Sequence, residues 1–397
     1  MKLSPEKRRA TSAVVAGFLT FINLFTPQSF LQTVAQDLNV TATQIGLAVT
    51  VTLLAVAAFA PIAGAISDRF GRKNIVVGAA ILLVATTLLV AQSSSLTELL
   101  VWRTLQGMLL PFIFSVTVAY IADECTPQEA VRTSGYYISG TIVGGASGRL
   151  IGALFAGLGG WRWGFLGVAA TTLIATIFVI WAMPREQKFR PLLGGLRSTF
   201  RAYREHLRNP RLLATFFIGF GMLFCMVASF TFVTFRLAEP PFELSTVKIG
   251  LIFIVYYLSV FSTPLGARMV GAIGRQKGMF AALVCSACGL ALTLADSLPM
   301  IMAGLAISTC GFLLVQTLAI SFIGVIVPQA RSSAVGFYVT CYYIGGSIGS
   351  VAPGPVWHQF GWPGVIALCA LVLALMTIDT LIFWRMPKPA APDRRAA

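Results

Sequence analysis

The sequence predicts an all-α membrane protein of twelve transmembrane helices arranged as two pseudo-symmetric six-helix bundles. Three observations carry that prediction. The first is composition: 57% of the 397 residues are hydrophobic and 11% are charged, too apolar for a chain whose core must be wrapped in polar surface. The second is the recurrence of apolar runs. A hydrocarbon core roughly 30 Å thick takes about 20 residues to cross, and runs of that order lie near residues 11–34, 44–66, 74–91, 97–121, 133–157, 163–183, 212–235, 247–269, 278–295, 299–323, 332–354 and 364–385. The third is an internal repeat. At an offset of 201, Pro127-Gln128 matches Pro328-Gln329, Gly135 matches Gly336, Tyr137 matches Tyr338, Gly144-Gly145 matches Gly345-Gly346, Gly148 matches Gly349 and Gly160-Trp161 matches Gly361-Trp362. Shared hydrophobicity does not explain identities on Gly, Pro, Gln, Tyr and Trp, so the chain reads as a six-plus-six duplication.

Backbone groups in lipid must be satisfied within each segment, which makes the crossings helices. Charge sets their direction. The net charge is +15, and all but five of the 29 Lys and Arg residues fall at the termini or in the even-numbered loops; the exceptions are Arg103, Arg149, Arg162, Arg236 and Lys248. That asymmetry places both termini in the cytoplasm of a multi-pass protein of the plasma (bacterial inner) membrane. A basic inner face accounts for the charge without a nucleic-acid partner. The seven cysteines show no paired or metal-ligand spacing and read as small hydrophobes, so no metal site and no cofactor is expected.

The basic leader Met1–Arg9 suits anionic headgroups. Crossing 1 is no cleaved signal peptide, being too long and carrying Asn23, Gln28 and Gln32; amides at such density face protein or water, here a central cavity. Crossings 2 and 3 are joined by GAISDRFGRK, Gly64 to Lys73, where Gly64 and Gly71 permit close approach and a tight turn, Asp68 can face a helix N-terminus, and Arg69, Arg72 and Lys73 mark a cytoplasmic border. Crossing 4 reads LLVWRTLQG, with Arg103 about 9 Å deep at 1.5 Å per residue from Thr97. Either it snorkels to the outer interface, or it lines the cavity, or it ties this helix to a neighbour. Crossing 5 contains GGASGRLIGA. Gly144, Gly148 and Gly152 lie four apart and leave one bare face for a neighbouring helix, while Arg149 is a cation well inside the span. Two roles are open to it: holding an anionic substrate group, or neutralisation by a carboxylate or by the amides of crossing 1.

Residues 1–183 thus form an N-terminal six-helix bundle, 184–211 a cytoplasmic basic linker, and 212–397 a C-terminal six-helix bundle. Arginines at helical spacing from Arg197 to Arg208 predict an amphipathic helix on the inner membrane surface, with a regulatory-partner site as the other reading. Crossing 7 is crowded with Phe and Met. The stripe is either packing or, if Phe224 and its neighbours face inward, a cavity wall for flat or lipophilic compounds. Gln316 is the polar candidate of crossing 10, and Asp379 the clearest intramembrane acid, free to carry a proton or to pair with Arg385. Near Ala267–Gln276 a worn copy of the first loop keeps Gly274 and Arg275 but has Gly271 at the acid position.

The motif G-x-x-x-D-R-x-G-R-K resembles the loop signature of the major facilitator superfamily, with every specified position filled. Parallel halves about an axis along the membrane normal, with substrate near the midplane, are what that resemblance implies. It further implies that Arg72 meets Asp123 of the IADE segment, that Asp68 approaches the helix beginning at Ser332 or Ser333, and that Arg103 with Gln106-Gly107 corresponds to a signature implicated in proton coupling. GGASGRLIGA resembles the glycine-rich antiporter signature, with Arg149 where that motif has proline, and is less closely similar to the acriflavine-sensitivity branch. Drug-proton antiporters often carry an acid in crossing 1, where this chain has Asn23; Asp379 is the substitute candidate.

No Ser/His/Asp spacing appears and the two histidines, His206 and His358, lie in loops, so no enzyme is expected. The expected protein is a monomeric secondary transporter working by alternating access, exporting small amphipathic compounds with protons as coupling ion. Transport of a sugar or carboxylated metabolite is the first alternative, favoured if Arg149 and Arg103 both face the cavity. A non-transporting receptor or lipid scramblase is the second.

Overall fold

The computed structural model describes residues 4–187, 207–258, 268–269, 272–327 and 331–384, and for residues 65, 68 and 331–333 the backbone alone. Most of the basic linker, including the helix expected from Arg197, lies outside the described residues, as do Arg385 and the side chains of Asp68, Ser332 and Ser333.

The described residues are helical at all twelve expected crossings. Crossing 1 is broken: α1 (Pro5–Leu24) passes through a 3-10 turn at Thr26–Ser29, where Pro27 withholds an N–H, into α2 (Leu31–Asp37). Then follow α3 (Ala42–Phe70), α4 (Arg72–Ala91), α5 (Leu96–Glu124), α6 (Pro127–Gly159) and α7 (Trp161–Ala182). The second half has α8 (Pro210–Ala238), α9 (Thr246–Ile252) with α10 (Val255–Leu258) as the described part of crossing 8, α11 (Arg275–Leu292), α12 (Leu298–Ile326), α13 (Arg331–Gly349) and α14 (Pro353–Phe383), the last interrupted at Gly361. Eight of these are long and apolar enough to span a membrane by length and composition. Thr41 and Thr126 open α3 and α6 with capping boxes to Gln44 and Glu129.

The duplication seen in the sequence is a duplication of packing. In the first half α1 lies against α6, and Cβ atoms added at Gly140, Gly144 and Gly148 would collide with the backbone of Val14, Phe18 and Ile22. In the second half α8 lies against α13, and Gly345 and Gly349 meet the backbone of Phe220 and Phe224 in the same way. Gly17 faces Tyr137 and Gly219 faces Tyr338, the tyrosines being 201 residues apart. Small residues let helix backbones approach where lipid supplies no hydrophobic drive between helices. The turn glycines repeat as well: Gly71 and Gly274 open α4 and α11 at φ +88° and +81°, and Gly160 and Gly361 sit at φ +86° and +60°. L side chains rarely adopt that region, which is why glycine survives in the worn second loop.

The halves meet through two related pairs, α3 with α13 and α6 with α9. One end of the molecule carries Arg9, Arg72, Lys73 and Arg132, the basic end; the far end carries Asp37, Gly160 and Asp296. Among the described residues, hydrogen bonds between halves lie at the far end and the middle. Thr33 meets Thr246 at 3.2 Å, Thr50 meets Ser350 at 2.6 Å and the Ser347 carbonyl at 3.1 Å, and Ser147 meets Tyr257 at 3.0 Å. Glycines again allow the contact, Gly46 against the Ser350 backbone and Gly250 against Ala153. The far end is therefore closed. Its N-terminal half is pinned by Asp37, which accepts from the Trp161 indole at 2.8 Å and from Arg162 at 2.7 Å. The indole first and the guanidinium second hold the Asp37 carboxyl below its ordinary pKa.

Candidate functional site

Below the closed end the halves part around a cavity of about 360 Å³. Phe21 of α1, Phe25 capping its end, and Ile138, Thr141, Ile142, Gly145 and Arg149 of α6 line one side; Met226, Tyr256, Leu313, Gln316, Thr317, Ile320, Tyr342 and Tyr343 line the other. Thr141 and Tyr342, and Ile142 and Tyr343, are 201 residues apart, so the duplicated helices α6 and α13 present equivalent positions to it.

Arg149 forms the roof. The residue is 2% exposed, and its guanidinium carbon lies 4.7 Å from the Phe25 ring centroid, 5.0 Å from Phe253 and 4.6 Å from Tyr256. Nε and Nη2 both donate to Gln28 Oε1, at 2.9 and 2.7 Å, and Nη1 donates to the Gly145 carbonyl at 2.8 Å. Of the partners open to Arg149, a crossing-1 amide is thus present as a hydrogen-bond acceptor, and a carboxylate is not among the described contacts. Gln28 also donates from Nε2 to Thr231 Oγ1 of α8 at 3.0 Å, bridging the halves directly above the cavity. Sequence reasoning offered the amides of crossing 1 as partners of Arg149 without choosing among them; that the partner is Gln28 goes with the break at Pro27, which takes Gln28 out of the helical phase of α1.

Asn23 is not a cavity residue. It accepts from Thr87 at 2.9 Å and donates to Thr172 at 2.9 Å inside the first bundle. Gln106 extends that network, donating to Thr87 at 2.8 Å. Arg103 completes it, fully buried, donating to the carbonyls of Ala48 at 3.2 Å, Asn23 at 3.0 Å and Leu24 at 2.9 Å and to Gln106 Oε1 at 2.7 Å. Of the readings open to Arg103, the geometry is that of a tie between helices: it fills the carbonyls left open where α1 ends. Phe224 is also off the cavity, stacked on Phe220 with its backbone against Gly349. From the crossing-7 stripe Met226 alone is a lining residue. Gly107 and Gly152 pack as bare patches, against Thr52 and against the Phe30 ring. Asp379 is half-buried on α14 and is not among the lining residues; its Oδ2 has no hydrogen-bond partner among the described residues.

Two parallel half-bundles, glycine-ridged in the same way with a cavity between them, match what comparison with known proteins finds. The family model described as Major Facilitator Superfamily matches residues 13–245 and 226–397. The chain belongs to the Major Facilitator Superfamily. It is 30% identical over 375 residues to the inner membrane transport protein YnfM of Escherichia coli strain K12, covering 94% of this chain and 89% of that protein. It is 25% identical over 384 residues to the multi-drug resistance efflux pump PmrA of Streptococcus pneumoniae serotype 4, covering 93% and 94%. Among solved structures, a bacterial homologue of the human lysosomal transporter Spinster superposes with a TM-score of 0.75 at 17% identity, covering 96% of this chain and 95% of that one; at that identity the likeness is one of fold.

The superfamily's loop signature lies at the basic end. Arg72 Nη2 and Nε reach Asp123 Oδ2 at 3.0 and 3.1 Å, and Arg72 also donates to Ser67. Asp123 is 41% exposed, so the pair is screened and contributes about 1 kcal/mol or less. Lys73 donates to the carbonyls of Ile180 and Met183, and Arg8 to those of Trp181 and Ala182, so two cations cap the end of α7. Arg69 is exposed, and a Cβ on Gly64 would meet nothing within 4 Å among the described residues. Arg9 pairs with Glu129 at 2.8 Å and Arg132 with Glu6.

Proposed function

We propose that this member of the superfamily is a secondary transporter that exports small amphipathic compounds across the bacterial inner membrane by alternating access. One observation carries the reading: a cavity at the junction of the halves, closed at the far end by the Thr50–Ser350 and Thr33–Thr246 contacts and walled by aromatic and aliphatic side chains with a few hydroxyls, one amide and the guanidinium of Arg149. A mostly apolar concavity with few fixed polar groups suits compounds with a lipophilic body and one polar end. The likeness to PmrA supports export, and the likeness to YnfM supports the inner membrane. With the basic end taken as cytoplasmic, as the charge asymmetry predicts, the cavity is reached from the side on which export begins.

The proton coupling expected from the resemblance would run through groups other than a cavity carboxylate, since no described lining residue is acidic. The test is reconstitution into proteoliposomes with a panel of fluorescent amphipathic compounds, flux being followed with and without an imposed pH gradient. Saturable flux abolished when bulky residues replace Thr141 and Thr317 is expected. No flux of any compound in either gradient direction would overturn the reading.

A further inference from the structure

The buried charge on the cavity roof has no opposite charge in the described structure. A guanidinium has five N–H donors, and the three bonds of Arg149 go to one amide oxygen and one backbone carbonyl. Among the described residues one N–H on Nη1 and one on Nη2 take no partner, and two such neighbouring N–H groups can take a carboxylate in fork geometry. The other polar lining groups are hydroxyls of Thr141, Thr317 and tyrosines and the amide of Gln316, none of them anionic. Of the acids in the chain, only Glu98 and Asp379 fall within the expected crossings. Glu98 is bonded to Ser94 at the far end, and Asp379 sits on α14 off the cavity. Burial of an ion costs several kcal/mol even after relaxation, and the ring faces of Phe25, Phe253 and Tyr256 with the Gln28 oxygen offset part of it.

We propose that the cavity takes a small aromatic or amphipathic carboxylate, with its acid group on the two Nη atoms of Arg149 and its apolar body against Phe21, Phe25, Tyr342 and Tyr343. This rests on the transport reading above and specifies its substrate class. The ligand supplies the missing counter-charge, and 360 Å³ holds a compound of about two fused rings. Gln28 is the positioning residue. It engages Nε and one N–H of Nη2, which fixes the guanidinium at the cavity wall, and through Thr231 it is tied to the other half. Phe253 and Tyr256 also come from that half, so the anion site is complete only while the far end is closed.

The test uses three probes of one shape: 2-naphthoate, 2-naphthylmethanol and 2-naphthylmethylammonium, titrated by calorimetry into the purified full chain in nanodiscs. At least tenfold tighter binding of the carboxylate than of the alcohol is expected, and weaker binding of the ammonium than of either. Arg149→Gln should erase the carboxylate preference, carboxylate and alcohol then binding alike, and Gln28→Leu should reduce the ratio of carboxylate to alcohol affinity while lowering the melting temperature, since the buried guanidinium loses two of its bonds. Equal binding of carboxylate and alcohol by the wild-type chain, a measurement needing no variant, overturns the proposal, as does preference for the ammonium. Flux assays separate this from the transport reading. Carboxylate preference without flux sinks transport and keeps the anion site, whereas flux of the alcohol or ammonium without carboxylate preference does the reverse.

Discussion

Replacing Arg103 by methionine separates two roles for that residue, since the superfamily resemblance implies coupling and the geometry is that of a structural tie. The side chain is fully buried and its four bonds end on the Ala48, Asn23 and Leu24 carbonyls and on Gln106. Methionine recovers the several kcal/mol of guanidinium desolvation while giving up four charge-assisted bonds. Two of the acceptors have substitutes: Ala48 keeps its bond from Thr52, and Gln106 can turn. The Asn23 and Leu24 carbonyls do not, because α1 ends at Leu24 and the chain turns at Pro27. Two orphaned carbonyls at about 1–3 kcal/mol each come to about 4 kcal/mol. For a chain of this length that lowers the melting temperature by on the order of 5 °C. The assay is thermal denaturation in detergent read by fluorescence-detected size exclusion, alongside proteoliposome flux. A methionine variant with the wild-type melting temperature and no flux would refute the structural account and leave coupling as the role.

Two further outcomes are expected. Gly148→Ala, whose new Cβ collides with the Ile22 backbone, should destabilise by about 1–3 kcal/mol, whereas Gly135→Ala, which meets nothing within 4 Å, should leave the melting temperature unchanged or slightly raised; equal behaviour of the two would refute the glycine-ridge account of the α1–α6 contact. The folded pKa of Asp37 is lowered from 3.8, so its stabilisation is full above that value and fades as pH falls through the folded one; the carboxylate is 46% exposed, which keeps the effect at about 1 kcal/mol or less. Asp37→Asn should therefore lower the melting temperature at pH 7 and lose less than the wild type between pH 5 and pH 3, and parallel melting curves over that range would contradict it.

The sequence by itself determined the helices, their number, the duplication, the basic end and the turns at Gly71 and Gly274, because length, apolarity and backbone conformation are properties of a segment and its nearest neighbours. It also marked Gly144, Gly148 and Gly152 as a packing face, since a spacing of four is legible without a partner. Which polar side chains reach the cavity was decided only in three dimensions. Asn23 and Gln28 look alike in the sequence, yet the 3-10 turn between them breaks the helical phase, so one joins a network inside the first bundle and the other meets Arg149 and Thr231. The Phe and Met stripe of α8 could not be phased either, because that helix is buried on nearly every side and periodicity selects no face. Tyr256, Tyr342 and Tyr343 became site residues through the meeting of the two halves, an event that depends on the closure of the far end and leaves no local mark in the chain.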